Sequence, residues 1–293
     1  MFMSKSYLFI VVGVLATFSS LSSADVAGSL GGVKGKYSDW LDGMIQSKAY
    51  EGLVKEPTPP TGRDDQDPVS VLCLDTPGNR FHIGVVQRMQ VHASLEKLAK
   101  VVEGFDSYVD LFPGYASIKV KSREGNRVIT SWEQKIPIFF IPNVHYEMIY
   151  QIAAGSTDDP NTKIYRYQLL KKGDLRESDG FIVLRKISPD ETRYLEVDFF
   201  DAEWGAAETF APSRIWTDSV DGLYLSDLAF QLKAEHPDWN DKRCRSEADK
   251  IVDKMKQKPG ERCVAAKADG WKRILELTSL PQPFPSPSNS LKP

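Results

Sequence analysis

The ten residues NVHYEMIYQI, Asn143 to Ile152, decide the fold. Val144, Tyr146, Met148, Tyr150 and Ile152 take alternate positions, and His145, Glu147 and Gln151 take the others, with Ile149 the only apolar residue among them. Side chains alternate across a strand, so this is a strand with one packed face and one wet face. Upstream, Phe81 to Ala93 repeats the pattern through Phe81, Ile83, Val85, Met89 and Val91. Between the two strands lies a break, Ser94 to Gly114, then Ile118 and Val120, then Val128 to Ile136.

The break reads as two short helices. Ser94 is an N-cap, Glu96 suits the positive helix end, and Leu95, Leu98, Val101 and Val102 form the apolar stripe. Gly104 ends the first helix, and Phe105 to Phe112 forms the second, stopped by Pro113-Gly114. Downstream, Tyr165, Tyr167 and Leu169 alternate, Gly173 to Gly180 reads as a turn region, Phe181 to Ile187 is a strand, and Leu195, Val197 and Phe199 alternate in the last. That gives seven strands, with Val69 to Leu74 as a further short candidate. A long helix follows, opened by Pro212-Ser213 and closed by His236-Pro237. Its apolar residues, among them Trp216, Val220, Leu223, Tyr224 and Leu228, exceed a single stripe, so it is covered on most sides.

The flanks have their own signals. Tyr7 to Phe18 is apolar or small, and Ser22, Ser23 and Ala24 precede Asp25, so residues 1–24 read as a secretory signal peptide. The expected destination is periplasmic or extracellular, with no transmembrane segment left after cleavage. Residues 25–68 hold one helix, Tyr37 to Val54, and a Pro-rich linker from Glu56. Residues 240–280 form a helical extension, with Asp241 to Lys256 and Val264 to Leu277 amphipathic, and residues 281–293 a disordered Pro- and Ser-rich tail. Of the three cysteines, Cys244 and Cys263 are the candidate disulfide and Cys73 the odd one, the alternative being three separate buried thiols. The 37 basic and 40 acidic residues are interspersed, which argues against a nucleic-acid partner. No metal or cofactor motif occurs: there is no HExxH, no GxSxG elbow and no Gly-rich phosphate loop.

Strand, two short helices, six antiparallel strands and a long helix: this order resembles the START-like, or SRPBCC, helix-grip superfamily, close in character to its coenzyme Q-binding and polyketide cyclase-like members. Phe105-Asp106-Ser107-Tyr108 with Leu111-Phe112-Pro113-Gly114 is similar to that family's second short helix and its exit, and Val91 to Ala93 to its strand-to-helix junction. The resemblance implies an α+β fold, a seven-stranded antiparallel sheet curved around the long helix, over residues 69–239. It also implies a cavity between sheet and helix that takes a hydrophobic small molecule: a lipid, an isoprenoid or a polycyclic compound.

The alternation proposes the cavity's lining. Trp132, Tyr146, Met148, Tyr150, Tyr165, Tyr167, Val183, Val197 and Phe199 lie on the more apolar strand faces, and Trp216, Val220 and Leu223 close it from the helix. Aromatic residues at strand period are also ordinary core. Two polar residues fall in phase with apolar ones: Gln87 with Val85 and Met89, and Arg185 with Val183 and Ile187, where it either meets an anionic ligand or is solvated. The expectation is ligand binding without catalysis. The alternatives are a protein-interaction module that uses the C-terminal extension, or a cyclase- or hydratase-type enzyme, which would need inward acids or histidines with displaced pKa values.

Overall fold

The computed structural model describes residues 30–56, 68–76, 82–135, 143–153, 159–202, 212–281 and 283. The signal segment, most of the linker, the turn at Pro77-Gly78-Asn79, the start of the first long strand at Phe81, Ile136 and most of the tail lie outside them. So does the first half of the polar loop Ser156 to Asn161.

The chain enters through α1 (Ser38–Gln46) and α2 (Tyr50–Lys55). The sequence suggests one helix here; the structure has two, because Lys48 adopts a left-handed conformation, φ 57°, that interrupts the hydrogen-bond ladder. Then follow β1 (Val69–Leu74), β2 (Ile83–Val91), α3 (Leu95–Val102), a single 3-10 turn at Phe105–Ser107 and α4 (Tyr108–Leu111). Six strands come next: β3 (Tyr115–Glu124), β4 (Arg127–Gln134), β5 (Val144–Ala153), β6 (Thr162–Leu169), β7 (Leu175–Ser188) and β8 (Glu191–Ala202). The long helix is α5 (Pro212–Glu235), followed by α6 (Asp241–Asp253) and α7 (Pro259–Thr278).

Among the described residues, eight strands make one antiparallel sheet in the order β1-β2-β8-β7-β6-β5-β4-β3. The α3–α4 excursion carries the chain from β2 to the far edge, and the next six strands return as a meander until β8 lies beside β2. With α5 packed on one face, this is a helix-grip arrangement, as the element order implies. The sheet has one strand more than seven, because β1 pairs with β2 from Val69↔Met89 to Leu74↔Gly84. β7 also begins earlier than the turn region implies: Leu175 to Gly180 is strand.

The early part of β7 is hidden in the sequence by its polar residues, which are buried. Arg166 is 2% exposed; its guanidinium pairs with Asp179, with Asp42 of α1 at 2.9 Å, and with the carbonyls of Tyr167 and Gly180. Asp179 also accepts from Ser38, and Glu177 accepts from the Lys36 amide at 2.8 Å. These bonds fasten the N-terminal segment to the outer face of the sheet, the face away from α5. Tyr37 stacks on Phe199 there, with centroids 4.0 Å apart. Glu56, read as the start of the linker, is instead an anchor: it takes both Arg88 and Arg273.

The C-terminal extension completes the core. In α6, Cys244, Ala248 and Val252 are buried beside α4 and α5; in α7, Trp271 and Ile274 are buried on the outer face, and Trp271 Nε1 donates to the Asp75 carbonyl at 2.6 Å. α7 approaches β1 so closely that a Cβ on Gly270 would fall 1.8 Å from the Cys73 carbonyl oxygen, so only glycine fits. That approach sets the disulfide. Cys73 pairs with Cys263, Cα–Cα 5.3 Å, which corrects the pairing of Cys244 with Cys263; Cys244 is a buried free thiol. Among the described residues no helix is long and apolar enough to cross a membrane.

The disulfide closes a loop of 190 residues, for which chain-entropy arguments give about 5 kcal/mol. Cys263→Ser is expected to lower the urea midpoint, and reductant to lower it in the parent chain but not in the variant. Equal midpoints with and without reductant in the parent chain would show that the bridge does not form.

Candidate functional site

Register fixes which side chains meet under α5. One row across the inner face runs Val71, Gln87, Glu196, Ile182, Tyr165, Ile152. The next runs Val85, Asp198, Gly180, Tyr167, Tyr150, Val128. Above them α5 buries Tyr224, Asp227, Leu228 and Gln231, three or four residues apart and therefore on one helix face.

These rows bring three carboxyl groups together. Tyr167 donates to Glu196 Oε1 at 2.8 Å. Tyr194 lies 2.8 Å from Glu196 Oε2 and 2.9 Å from Asp227 Oδ1. A phenol has one proton and donates it to one of these oxygens; the other carboxyl group bonds the phenol oxygen when it holds a proton of its own. The acidities agree. Burial, then the charge of Glu196, holds Asp227 and Asp198 well above the usual carboxylate range. Burial raises Glu196 too, against the hydrogen bonds it receives from Tyr167, Tyr194 and Asp227. Gly180 makes the Tyr167 contact possible: a Cβ there would sit 2.4 Å from the Tyr167 hydroxyl.

Hydrogen bonding among these groups is incomplete. Gln87 is 0% exposed, and neither atom of its amide has a partner. Asp198 Oδ1, Asp227 Oδ2 and Gln231 Oε1 are also buried without one. Glu196, Tyr150 and Tyr115 nevertheless remain only half-buried, although protein surrounds each so closely that burial dominates its acidity. The accessible surface that these three residues keep on the inner face points to a hollow between sheet and helix.

The hollow has two ends. Under β2 and β8 it is acidic. Under β3 to β5 it is aromatic: Trp132 stacks on Tyr146, centroids 5.9 Å apart and planes 9° from parallel, with Tyr115 and Phe112 around it. Even there the polar tips are matched, Tyr146 to Tyr115 at 3.1 Å and Trp132 Nε1 to Thr130 at 2.6 Å.

Of the residues the sequence proposes, Trp132, Tyr146, Met148, Tyr150, Tyr165 and Tyr167 stand on this inner face. Trp216, Val220 and Leu223 pack with Ile83, Val85, Cys73 and Cys263 and close the β1–β2 end. Val183, Val197 and Phe199 do not line the hollow; they lie on the outer face against α1, α2 and α7. Arg185 is on that outer face as well, 3.8 Å from Glu51 and 3.7 Å from Asp159, so it meets neither the hollow nor an anion within it. Alternation marks Val183 in β7 and Leu195, Val197 and Phe199 in β8 as the more apolar face and so as the lining, whereas helices cover both faces. A usable signal was Asp227, an acid in a helix apolar nearly all round.

No protein-family model matches the chain, and neither does any curated protein. Solved structures do. Human STARD10 is similar with a TM-score of 0.48 at 10% identity, over 69% of this chain and 87% of that one. A STAR-related lipid transfer protein from Xanthomonas axonopodis gives 0.42 at 14%, over 64% and 96%. The Zhui aromatase/cyclase from a Streptomyces gives 0.37 at 13%, over 58% and 96%.

A carboxyl group whose folded pKa is raised binds more protons folded than unfolded, so it withdraws stability as pH rises above its unfolded value. Asp227→Asn removes that titration. Relative to the parent chain, the variant is expected to gain up to about 1.4 kcal/mol per pH unit above about pH 4, until the folded pKa is passed. Urea unfolding at a series of pH values measures it; a constant difference between the two proteins would mean that Asp227 is ionised in the fold.

Proposed function

We propose that this chain is an exported carrier or binding protein for one hydrophobic small molecule, held between sheet and α5. The observation that supports the reading is the enclosed hollow: Tyr115, Tyr150 and Glu196 keep accessible surface in the interior. Trp132, Tyr146 and Tyr150 offer broad apolar faces with polar tips, which suits the body of a lipid, isoprenoid or polycyclic ligand. Removing about 200 Å² of apolar ligand surface from water favours binding by about 5 kcal/mol. The acidic end adds what an apolar cavity lacks, a place for a polar head. Export is supported by the apolar run Tyr7 to Phe18 and by a disulfide that an oxidising compartment would preserve.

The interaction reading has less to support it: Cys244, Ala248 and Val252 of α6 and Cys263, Trp271 and Ile274 of α7 are buried in the chain's own core, and among the described residues the exposed large apolar side chain is Ile187 at 45%. Catalysis has one observation in its favour, the proton-holding carboxyl cluster beside two phenols. A change in mass of the extracted ligand after incubation with the protein would support it.

Native mass spectrometry of the protein from its own host, followed by organic extraction, tests the reading. The expected result is a ligand at near unit stoichiometry. Ile182→Trp, which puts a larger side chain between Glu196 and Tyr165, is expected to leave a folded protein that carries at most about a tenth as much. A parent protein that is empty and also rejects a lipid panel would overturn the proposal.

A further inference from the structure

We propose that the ligand's polar head is a protonated amine, seated at the acidic end among Glu196, Asp198, Asp227 and Gln87, and that its uptake releases a proton to solvent. The inference rests on the binding reading above and names the class of ligand.

The inventory of unmatched atoms carries it. Asp198 Oδ1, Asp227 Oδ2 and Gln231 Oε1 are acceptors without donors, and the Gln87 amide, fully buried and directly across from Glu196, has no partner for either of its ends. Gln87 is not an acid, so its isolation is independent of the carboxyl cluster. A buried amide left unpaired is costly, and a ligand group that bonds it removes that cost. A primary ammonium brings three donors and no acceptor. A hydroxyl brings an acceptor with each donor; a carboxylate or phosphate brings only acceptors and a further negative charge. Neither fits a site whose unmatched atoms are mostly oxygen.

Charge points the same way. The groups that set the acidity of Asp198 and Asp227 are Glu196, Tyr167 and Tyr194, with Glu177 and Asp179 acting on Asp198 through the sheet; no lysine or arginine is among them. Tyr165 on β6 turns to Glu103, Tyr150 on β5 and Tyr108 on α4 are neutral phenols, and Lys163 pairs with Glu103 while Arg123 lies over the Phe105 ring. Among the described residues these acids thus have no basic group among their main electrostatic partners, and protons take that place. A cation that enters takes over the neutralising role, and a carboxyl proton leaves. Among the described residues, no three acidic, histidine or cysteine side chains have the spacing to hold a metal ion, so the fitting cation is one with directional N–H donors.

The test uses dodecylamine, dodecanol and dodecanoate with the full mature chain, by calorimetry in phosphate and in Tris. Near pH 8, dodecylamine is expected to bind about tenfold tighter than dodecanol or better, to lose most of that advantage near pH 5, and to release about one proton, read from the difference between the buffers. Asp198→Asn and Gln87→Met are each expected to weaken the amine about tenfold and the alcohol about twofold or less. The proton release of the parent chain stands whether or not the variants fold. Equal binding of amine and alcohol at both pH values, or no proton released, overturns the head-group inference and leaves the hollow a lipid site. Failure of all three probes to bind overturns the binding reading itself.

Discussion

Strand β8 has no wet face, and the rest of the molecule follows from that constraint. Leu195, Val197 and Phe199 are sealed by Tyr37, Leu41 and Trp271 on the outer side, and Tyr194, Glu196 and Asp198 are roofed by α5 on the inner side. A carboxylate taken out of water costs several kcal/mol unless it is paired or neutralised. Among the groups that bear on the acids of β8, no basic partner appears, so phenols and protons do the neutralising. Tyr167 can reach Glu196 only because residue 180 is glycine.

What was legible in the sequence is what water decides. β5 shows its packed face by alternation, although of its outward residues only His145 is exposed and Ile149 and Gln151 are buried, and α3 carries its cap, Ser94 accepting from the Lys97 amide, where local chemistry predicts it. The element order and the long helix follow from these signals. What was illegible is what tertiary partners decide. Glu177, Ser178 and Asp179 look like a turn until Arg166, Ser38 and the Lys36 amide are placed against them. Val183, Val197 and Phe199 look inward until α1, α2 and α7 are laid on the outer face. The Cys73–Cys263 bridge spans elements whose adjacency depends on a glycine contact with no periodic signature. Alternation assigns residues to two faces, but it does not say which face meets the ligand.

The hollow is polarised along the sheet. Its aromatic end is internally satisfied: Tyr146 bonds Tyr115, Trp132 bonds Thr130, and rings stack on rings. Its acidic end is not. On the proposed reading, a ligand would gain from surface burial at one end and from completed hydrogen bonds at the other. Burial is nearly indifferent to direction, whereas hydrogen bonds are specific in angle and count. The aromatic end would then set how much is bound, and the acidic end what is bound and which way round.

Such an end lowers the stability of the empty protein, and the outer face shows where compensation lies. Gln87 sits on β2, between β1 and β8, and β1 is held by the disulfide to α7 and by the Trp271 bond to the Asp75 carbonyl. The neighbouring outward residue, Arg88, is locked to Glu56, which also holds Arg273 of α7. The strand that presents an unsatisfied amide inward is thus braced outward by a covalent bond and a shared carboxylate. A frame so braced keeps Gln87, Glu196 and Asp198 from relaxing toward one another, so their unmatched atoms stay unpaired.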